Sequence, residues 1–409
     1  MTPRRLGGVN SLSRRPPLVL ARPRTKPSLS PFRLADGTIL LARDVFGLGR
    51  TLEDDAVGTI WRLLRLMDGS RDLRALERGL RRSHPDVDGR SLRRAVARLG
   101  RLGVIEDAAE PTPGNLSARE LDRYSRNLDF FSLVSLGSSR SALAIQRRFK
   151  SARVTILGMG AIGSATASSL VAAGVGHLKI FDPDRVEASN LNRQLLYRSG
   201  DVGRFKVDAA AAHLRRLNPH LRVTTGRVRV RGPSDLPRRL KGCDLFVLGA
   251  DQPHELLLWT NDAAVRTGTP WLENSYSGAR CATALFVPGR TPCLRCLQHG
   301  MVARQKAART YHGEELFPAS SSNAVIAPTA AIAGHFGALQ ALYFLAGLPT
   351  STEGRLVQLN LWRPDDVRVV RARYWPACPA CGRRGAGAAR RLRPPVGKRR
   401  RRSPTRPRR

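Results

Sequence analysis

Two groups of residues have types and spacings that do chemistry. The first is Gly158-Met159-Gly160-Ala161-Ile162-Gly163, set between the β-branched run Val154 to Leu157 and an Ala/Ser-rich segment of helical character. Gly158 permits a tight turn, Gly160 lets a phosphate reach the backbone, and Gly163 lets the helix pack close to the strand. The helix N-terminus then presents unpaired N–H groups to an anion. A second apolar strand, Leu178 to Phe181, ends in Asp182, nineteen residues after Gly163 and placed to accept from a ribose hydroxyl. By itself this βαβ pattern reads as dinucleotide or ATP binding. The second group is Cys293-Leu294-Arg295-Cys296 with Cys378-Pro379-Ala380-Cys381. Four thiolates suit tetrahedral Zn²⁺ in a closed structural site. The 81 residues between the pairs exceed the spacing of an ordinary zinc ribbon, and a redox role for one pair is the alternative. Cys243 and Cys281 read as core residues.

Elements must position these groups. After Asp182 come Asn190-Leu191-Asn192-Arg193-Gln194 and Gly203-Arg204-Phe205-Lys206, then an Ala-rich helix to Leu217 that Asn218-Pro219 ends. A strand at Leu245 to Leu248 runs into Gly249-Ala250-Asp251. The apolar run Ala324 to Leu348 contains Pro328, His335 and Gln340 and reads as a buried helix rather than a membrane span. The segment Arg304 to Ser322, polar and containing Gly313, reads as a mobile crossing loop.

Upstream, Thr38 to Asp44 predicts a strand or short hairpin. Ala56, Ile60, Leu63 and Leu64 put one apolar face on a helix over Asp54 to Leu66. A second helix follows at Leu73 to Leu80. A third, capped by Ser91, ends near Gly100, with Val104-Ile105 as a returning strand. This is a winged-helix outline. Through "LMDGSRDLRALERGL" and "LRRAVARLGRLGVIED" it resembles the domains that bind leader peptides in ribosomally made peptide pathways, where a peptide adds as a strand to a β edge. A buttressing bundle, or a DNA reader using Arg93, Arg94, Arg98 and Arg101, stays open.

Composition sets limits. The formal charge is +38, but residues 1–33 carry eight Lys/Arg and residues 382–409 thirteen, neither stretch with an acid. Both are rich in Pro, Gly and Ser and read as disordered basic tails. The remainder is still basic, with Arg far above Lys, so non-specific polyanion affinity is expected and specific nucleic-acid binding is not. The acid-free, Arg-rich start is like a transit peptide in composition only; Leu18 to Ala21 is too short for a secretory core. Paired Cys-x-x-Cys motifs in place of a disulfide framework fit a reducing cytoplasm.

Arg123-Tyr124-Ser125-Arg126, Gly-x-Gly-x-x-Gly, Asp182-x-Asp184, Asn190-x-x-Arg193-Gln194, Gly203-x-x-Lys206 and Asp251, in this order, resemble the ThiF/MoeB/HesA adenylyltransferases, whose nucleotide domain recurs in ubiquitin-activating enzymes. The resemblance runs from about 119 to 382. With the N-terminal outline, the whole is similar to microcin-type peptide adenylyltransferases. It implies an α/β fold: a Rossmann-like ATP-binding domain with a mixed sheet, preceded by a small winged-helix-like α+β domain. The expected boundaries are a tail at 1–33, a peptide-binding domain at 34–109, a linker and helices at 110–150, the adenylyltransferase domain with its zinc site at 151–382, and a tail at 383–409.

The resemblance also implies roles. Arg193 and Lys206 would neutralise the ATP phosphates, Asp251 would hold Mg²⁺ near the α-phosphate, and Asp182, Asp184 and Asn190 would line the nucleotide pocket. Arg126 matches an arginine that reaches into the other subunit's site, which implies a homodimer. The two cysteine pairs match the family's zinc pattern. Met301 to Ser322, where thiol-transferring relatives keep a reactive cysteine, has none, so no covalent thioester is expected. Ala161 replaces a further glycine of many relatives. The expected activity is ATP-dependent adenylation of the C-terminal carboxylate of a peptide or small carrier protein, in peptide natural-product or sulfur-transfer biosynthesis. A catalytically silent leader-peptide partner is the alternative, and retention of Arg193, Lys206 and Asp251 argues for catalysis. A DNA-binding regulator with a nucleotide-sensing domain is a third reading.

Overall fold

A computed structural model describes residues 4–5, 20–41, 50–109, 115–136, 140–307 and 324–382. The chain divides into two units, Met1–Ser151 and Ala152–Arg409. In the first, short strands β1 (Arg4–Arg5), β2 (Pro23–Thr25), β3 (Phe32–Arg33), β4 (Ile39–Leu41) and β5 (Arg50–Leu52) precede helices α1 (Thr59–Leu66), α2 (Leu73–Arg81) and α3 (Gly89–Arg101). Strand β6 (Ile105–Asp107) and helices α4 (Ala118–Arg123), α5 (Ser125–Val134) and α6 (Ala142–Ser151) complete it. The sheet order is β1-β5-β4-β3, and β2 pairs with β6. Leu63, Leu76, Leu80, Leu92, Val96 and Leu99 form the helical side of one core, as their spacing predicts.

The structure corrects three local readings. Residues 20–33 are not a tail: β2 pairs antiparallel with β6, Leu20 and Leu29 are buried in the core, and Lys26 is 2% exposed. The strand partner lies some eighty residues away, so no local signal marks the segment. Helix α3 is capped by Asp88, whose Oδ1 accepts from Arg90 N and Ser91 N at 2.7 Å each, one turn before the expected cap. The polar segment from Arg304 opens as helix: α11 (Leu294–Ala307) covers its first four residues. Residues 308–322 of that predicted loop, the 111–114 linker and the basic stretches 6–19 and 383–409 lie outside the described residues.

The second unit contains β7 (Arg153–Leu157), α7 (Ala161–Ala172), β8 (His177–Phe181), α8 (Lys206–Leu217), β9 (Arg222–Gly226), α9 (Pro237–Leu240), β10 (Leu245–Leu248) and α10 (Leu256–Thr267). Strands β11 (Trp271–Ser277) and β12 (Arg280–Phe286), α11, α12 (Ala327–Ala346), β13 (Arg355–Asn360) and β14 (Val367–Arg371) follow. Its eight-stranded mixed sheet has the order β14-β13-β12-β11-β10-β7-β8-β9. Strands β9 to β11 are parallel and β11 to β14 antiparallel. Central β7 and β10 are buried on both faces, so they read as continuous apolar runs. Helix α7 is apolar all round because it is enclosed by its neighbours α8 and α12. Helix α12 is the one helix among the described residues long and apolar enough to cross a membrane, and 61% of its apolar window is buried inside the fold.

Helices α7 and α12 approach closely because their contact residues are small. A Cβ on Gly334 would lie 2.6 Å from Ala165 Cβ and 2.8 Å from Ile162 O. Gly334→Ala should therefore destabilise by about 1–3 kcal/mol, against the helix-propensity gain of about 1 kcal/mol. Chemical denaturation checks the sign; a stabilised variant would mean the two helices pack loosely.

On β11, Glu273 follows Trp271 on the sheet face that carries α10 and α11. The residue is part-buried, and the desolvation pushes its carboxyl up to about 7. A carboxyl raised on folding contributes stability below its unfolded value of about 4.3 and loses it as pH climbs through about 7. Glu273→Gln should match wild type near pH 4 and exceed it at pH 8 by on the order of 2 kcal/mol. Thermal denaturation across this range tests it; parallel pH profiles for the two proteins would contradict the assignment.

Candidate active site

The glycine turn after β7 is made of backbone in contact with backbone. Gly158 has φ of +92°, a left-handed value, and a Cβ there would meet Ala250 N at 2.5 Å. A Cβ on Gly163 would fall 1.9 Å from Gly158 O. Gly160 caps α7, and its open side has only Gln194 Nε2, 4.0 Å from where a Cβ would be. The helix N-terminus thus faces out from the carboxyl ends of β7 and β10, the place where open α/β sheets bind ligands.

Asp182, at the end of β8, is 4% exposed. Its Oδ2 accepts from Met159 N at 2.6 Å and its Oδ1 from Asp184 N at 2.8 Å. The carboxylate therefore holds the glycine turn while each oxygen retains a further lone pair for a ligand. Burial raises its pKa, opposed by the Met159 N–H and the charge of Lys206. Lys206 begins α8 with its side chain 10% exposed, and its Nζ donates to Asp184 Oδ2 at 3.2 Å. Arg229 lies 3.5 Å from the other Asp184 oxygen.

Asn190 is buried in the turn Ala188–Asn190. Its Oδ1 accepts from Glu187 N at 3.3 Å, and its carbonyl accepts from Arg193 N and Gln194 N at 3.1 and 2.8 Å. These bonds shape the turn that carries Arg193. Arg193 Nη1 donates to Ser189 O at 2.8 Å and Asn192 Oδ1 at 3.0 Å. Asp251 is exposed just beyond β10. Arg193 and Asp251 both act electrostatically on Tyr276 of β11, so all three share one neighbourhood. Arg126 belongs to the N-terminal unit, where it is exposed on α5 and 3.6 Å from Asp129.

Sequence reasoning missed several supports. Tyr197 is buried, and its hydroxyl donates to Met159 O at 2.7 Å, so both main-chain groups of Met159 are tied down. Buried Asp201 accepts from Arg204 Nη1 and pairs with His213 Nε2, both at 2.6 Å, which anchors the loop ahead of Lys206 to α8. Only their proximity to Arg193 and Lys206 in the chain hinted at them.

The four cysteines converge at the start of α11 and after β14. Their Sγ atoms all lie within 4.8 Å of one another, with Cys293–Cys296 at 4.0 Å, Cys293–Cys378 at 3.6 Å and Cys296–Cys381 at 3.4 Å. A tetrahedron of thiolates about 2.3 Å from Zn²⁺ has edges of about 3.8 Å, so the set can hold such an ion. Hydrogen bonds from Cys293 and Cys381 hold the Cys296 thiol below the usual thiol range, and Trp375 N donates to its sulfur at 3.4 Å. Cys243 and Cys281 stand apart, as expected, and all six cysteines are free thiols.

Residues 124–380 match the model of the ThiF family. The chain is 35% identical over 264 residues to the sulfur carrier protein ThiS adenylyltransferase of Bacillus subtilis, covering 64% of this chain and 71% of that protein. It is 33% identical over 274 residues to the sulfur carrier protein adenylyltransferase of Thermus thermophilus, covering 64% and 91%. Against the adenylyltransferase and sulfurtransferase MOCS3 of Bos taurus, 33% identical over 280 residues, it spans 56% of that longer protein. The solved structure of E. coli MccB with ATP superposes with a TM-score of 0.69 at 21% identity, over 88% of this chain and 99% of that one; that likeness is one of fold. By the family match over most of its length, this chain belongs to the ThiF family.

Proposed function

We propose that the chain is an ATP-dependent adenylyltransferase that joins AMP to the C-terminal carboxylate of a peptide or small sulfur-carrier or ubiquitin-like protein. The observation that carries this reading is the clustering of Lys206, Arg193 and Asp251 around the glycine turn, where a nicotinamide enzyme needs no such set. An acceptor carboxylate oxygen attacks the α-phosphorus, a P–O bond forms, the α–β bridging bond breaks, and pyrophosphate leaves with the electron pair. Two anions must meet, so positioning and charge neutralisation dominate. The α7 N–H groups and Lys206 hold phosphate oxygens, Arg193 takes up charge as it develops, and Asp182 and Asp184 accept from the ribose. Asp251 would hold Mg²⁺, which would supply further positive charge at the triphosphate.

The N-terminal unit supports a peptide acceptor. Among the described residues its small sheet has the order β1-β5-β4-β3, and an extended leader peptide can join such a sheet as a further strand. The E. coli MccB structures that share this chain's fold include one with AMPCPP and MccA. Arg126 acts across a homodimer, the cysteine cluster holds structural Zn²⁺, and the free thiols fit the cytoplasm.

ATP–pyrophosphate exchange, measured with an MccA-type peptide and with a glycine-tailed sulfur carrier, tests the reading. Exchange that depends on one of them supports it and names the acceptor class. Tight peptide binding without exchange would favour the catalytically silent partner. Asp251→Ala should lower exchange by about 100-fold or more while leaving the circular dichroism spectrum unchanged; undiminished turnover would remove Asp251 from the chemistry.

Metal content is checked separately. The purified protein should carry zinc by elemental analysis, and chelation or Cys378→Ser should lower Tm by about 10 °C or more. Equal Tm with and without metal would sink the structural role.

A further inference from the structure

Phe205 stands at the N-cap of α8, immediately before Lys206, and its side chain makes no capping hydrogen bond. Serine, threonine and aspartate are favoured at that position because their oxygens accept from the first helical N–H groups; a phenyl ring cannot. The ring is engaged elsewhere. The guanidinium carbon of Arg185 lies over it at 3.9 Å from the centroid, and that of Arg227 at 4.0 Å. Two guanidinium groups this close to one centroid have room only on opposite faces, so the ring is sandwiched between cations.

Each cation is itself tethered. Arg185 Nη1 donates to Gly203 O at 2.6 Å, and Arg227 Nη2 donates to Asp208 Oδ2, in the first turn of α8, at 2.6 Å. Arg227 directly follows β9, and Arg185 directly follows Asp184 beyond β8. Arg185 and Phe205 also face each other in an antiparallel bridge. In the backbone on either side, Val186 N donates to Arg204 O at 2.8 Å and Lys206 N to Asp184 O at 2.9 Å. The clamp therefore joins the exits of two neighbouring parallel strands, β8 and β9, to the residue that precedes Lys206. One position further on, Lys206 Nζ reaches Asp184 Oδ2 at 3.2 Å.

Resting on the adenylation reading, we propose that Phe205 is a positioning residue for Lys206: its ring, clamped by Arg185 and Arg227, fixes the start of α8 so that the Lys206 amine is held where the triphosphate binds. A lysine has a long flexible stem, and ordering it costs entropy. Fixing its backbone in advance leaves less to order when the phosphates arrive. Leucine is apolar like phenylalanine but offers no ring face to a guanidinium, whereas tyrosine keeps one. Because the ring acts through Lys206, its effect belongs in recognition of the phosphates and not of the nucleoside.

Calorimetry on the whole chain tests this. Phe205→Leu should weaken binding of ATP·Mg²⁺ about 5- to 30-fold, while the Kd for adenosine and Tm stay close to wild type. Phe205→Tyr should restore ATP·Mg²⁺ affinity to within about twofold of wild type. The double variant Phe205→Leu/Lys206→Ala should bind ATP·Mg²⁺ no more weakly than Lys206→Ala alone, the non-additivity expected of two groups acting as one. Unchanged ATP·Mg²⁺ affinity in Phe205→Leu, an equal loss for ATP·Mg²⁺ and adenosine, no recovery in Phe205→Tyr, or losses that multiply in the double variant would each overturn the assignment. Pyrophosphate exchange is read in parallel. Wild-type protein that binds ATP·Mg²⁺ more tightly than adenosine but exchanges with neither acceptor removes the adenylation reading, and the binding comparison then decides the role of Phe205 by itself.

Discussion

The turn between β7 and α7 has no room for a side chain, and the rest of the second unit is arranged around that fact. Gly158, Gly163 and Gly249 meet backbone to backbone: a Cβ on Gly249 would lie 2.9 Å from Gly158 O and 3.0 Å from Gly163 Cα. This crowding brings the carboxyl ends of β7 and β10 against the start of α7. An anion at the helix N-terminus therefore also lies beside the segment that leaves β10, and that segment carries Asp251. The turn is fixed from three further sides by Asp182, Tyr197 and the small-residue contact of α7 with α12. Strain and satisfaction of polar groups are met by the same atoms, since Met159 has its N–H taken by Asp182 and its carbonyl by Tyr197.

Charge is organised with similar economy. Asp184 receives the Lys206 amine and has Arg229 nearby, so two cations that a triphosphate would attract are held in place by a half-exposed carboxylate before any ligand arrives. The pairing is worth little as a surface interaction; its value is in keeping the Lys206 side chain, 10% exposed, aimed at the site without burying an unpaired charge. The antiparallel half of the sheet has a different anchor. Cys293 and Cys296 at the start of α11 meet Cys378 and Cys381 beyond β14, which ties the last strand's exit back to the loop after β12.

Motif order makes much of the site legible. The glycines, Asp182, Arg193, Lys206 and Asp251 all stand out by spacing, and Asp182 and Lys206 meet beside the glycine turn through Met159 N and Asp184. Asn190 stands out too, but its observed bonds are local to its own turn. Tyr197, Asp201 and His213 carry no such mark, because each acts through a partner that only the folded chain brings near. In the first unit, three helices are readable from apolar spacing, while the strand at Pro23–Thr25 is lost in a basic, Pro-rich stretch whose partner is β6.

By itself the sequence determined the elements whose signals are local: strand runs, helix faces, the glycine turn and the paired cysteines. Periodicity and backbone sterics act over a few residues, so they are written where they operate. Only the tertiary structure decided which polar groups are consumed in holding the site and which remain for a ligand. It also decided that the cysteine pairs, with 81 residues between them, bring their four Sγ atoms within 4.8 Å of one another. Those outcomes depend on strand order and register, which come from packing distant segments against one another and leave no mark at any one position in the chain.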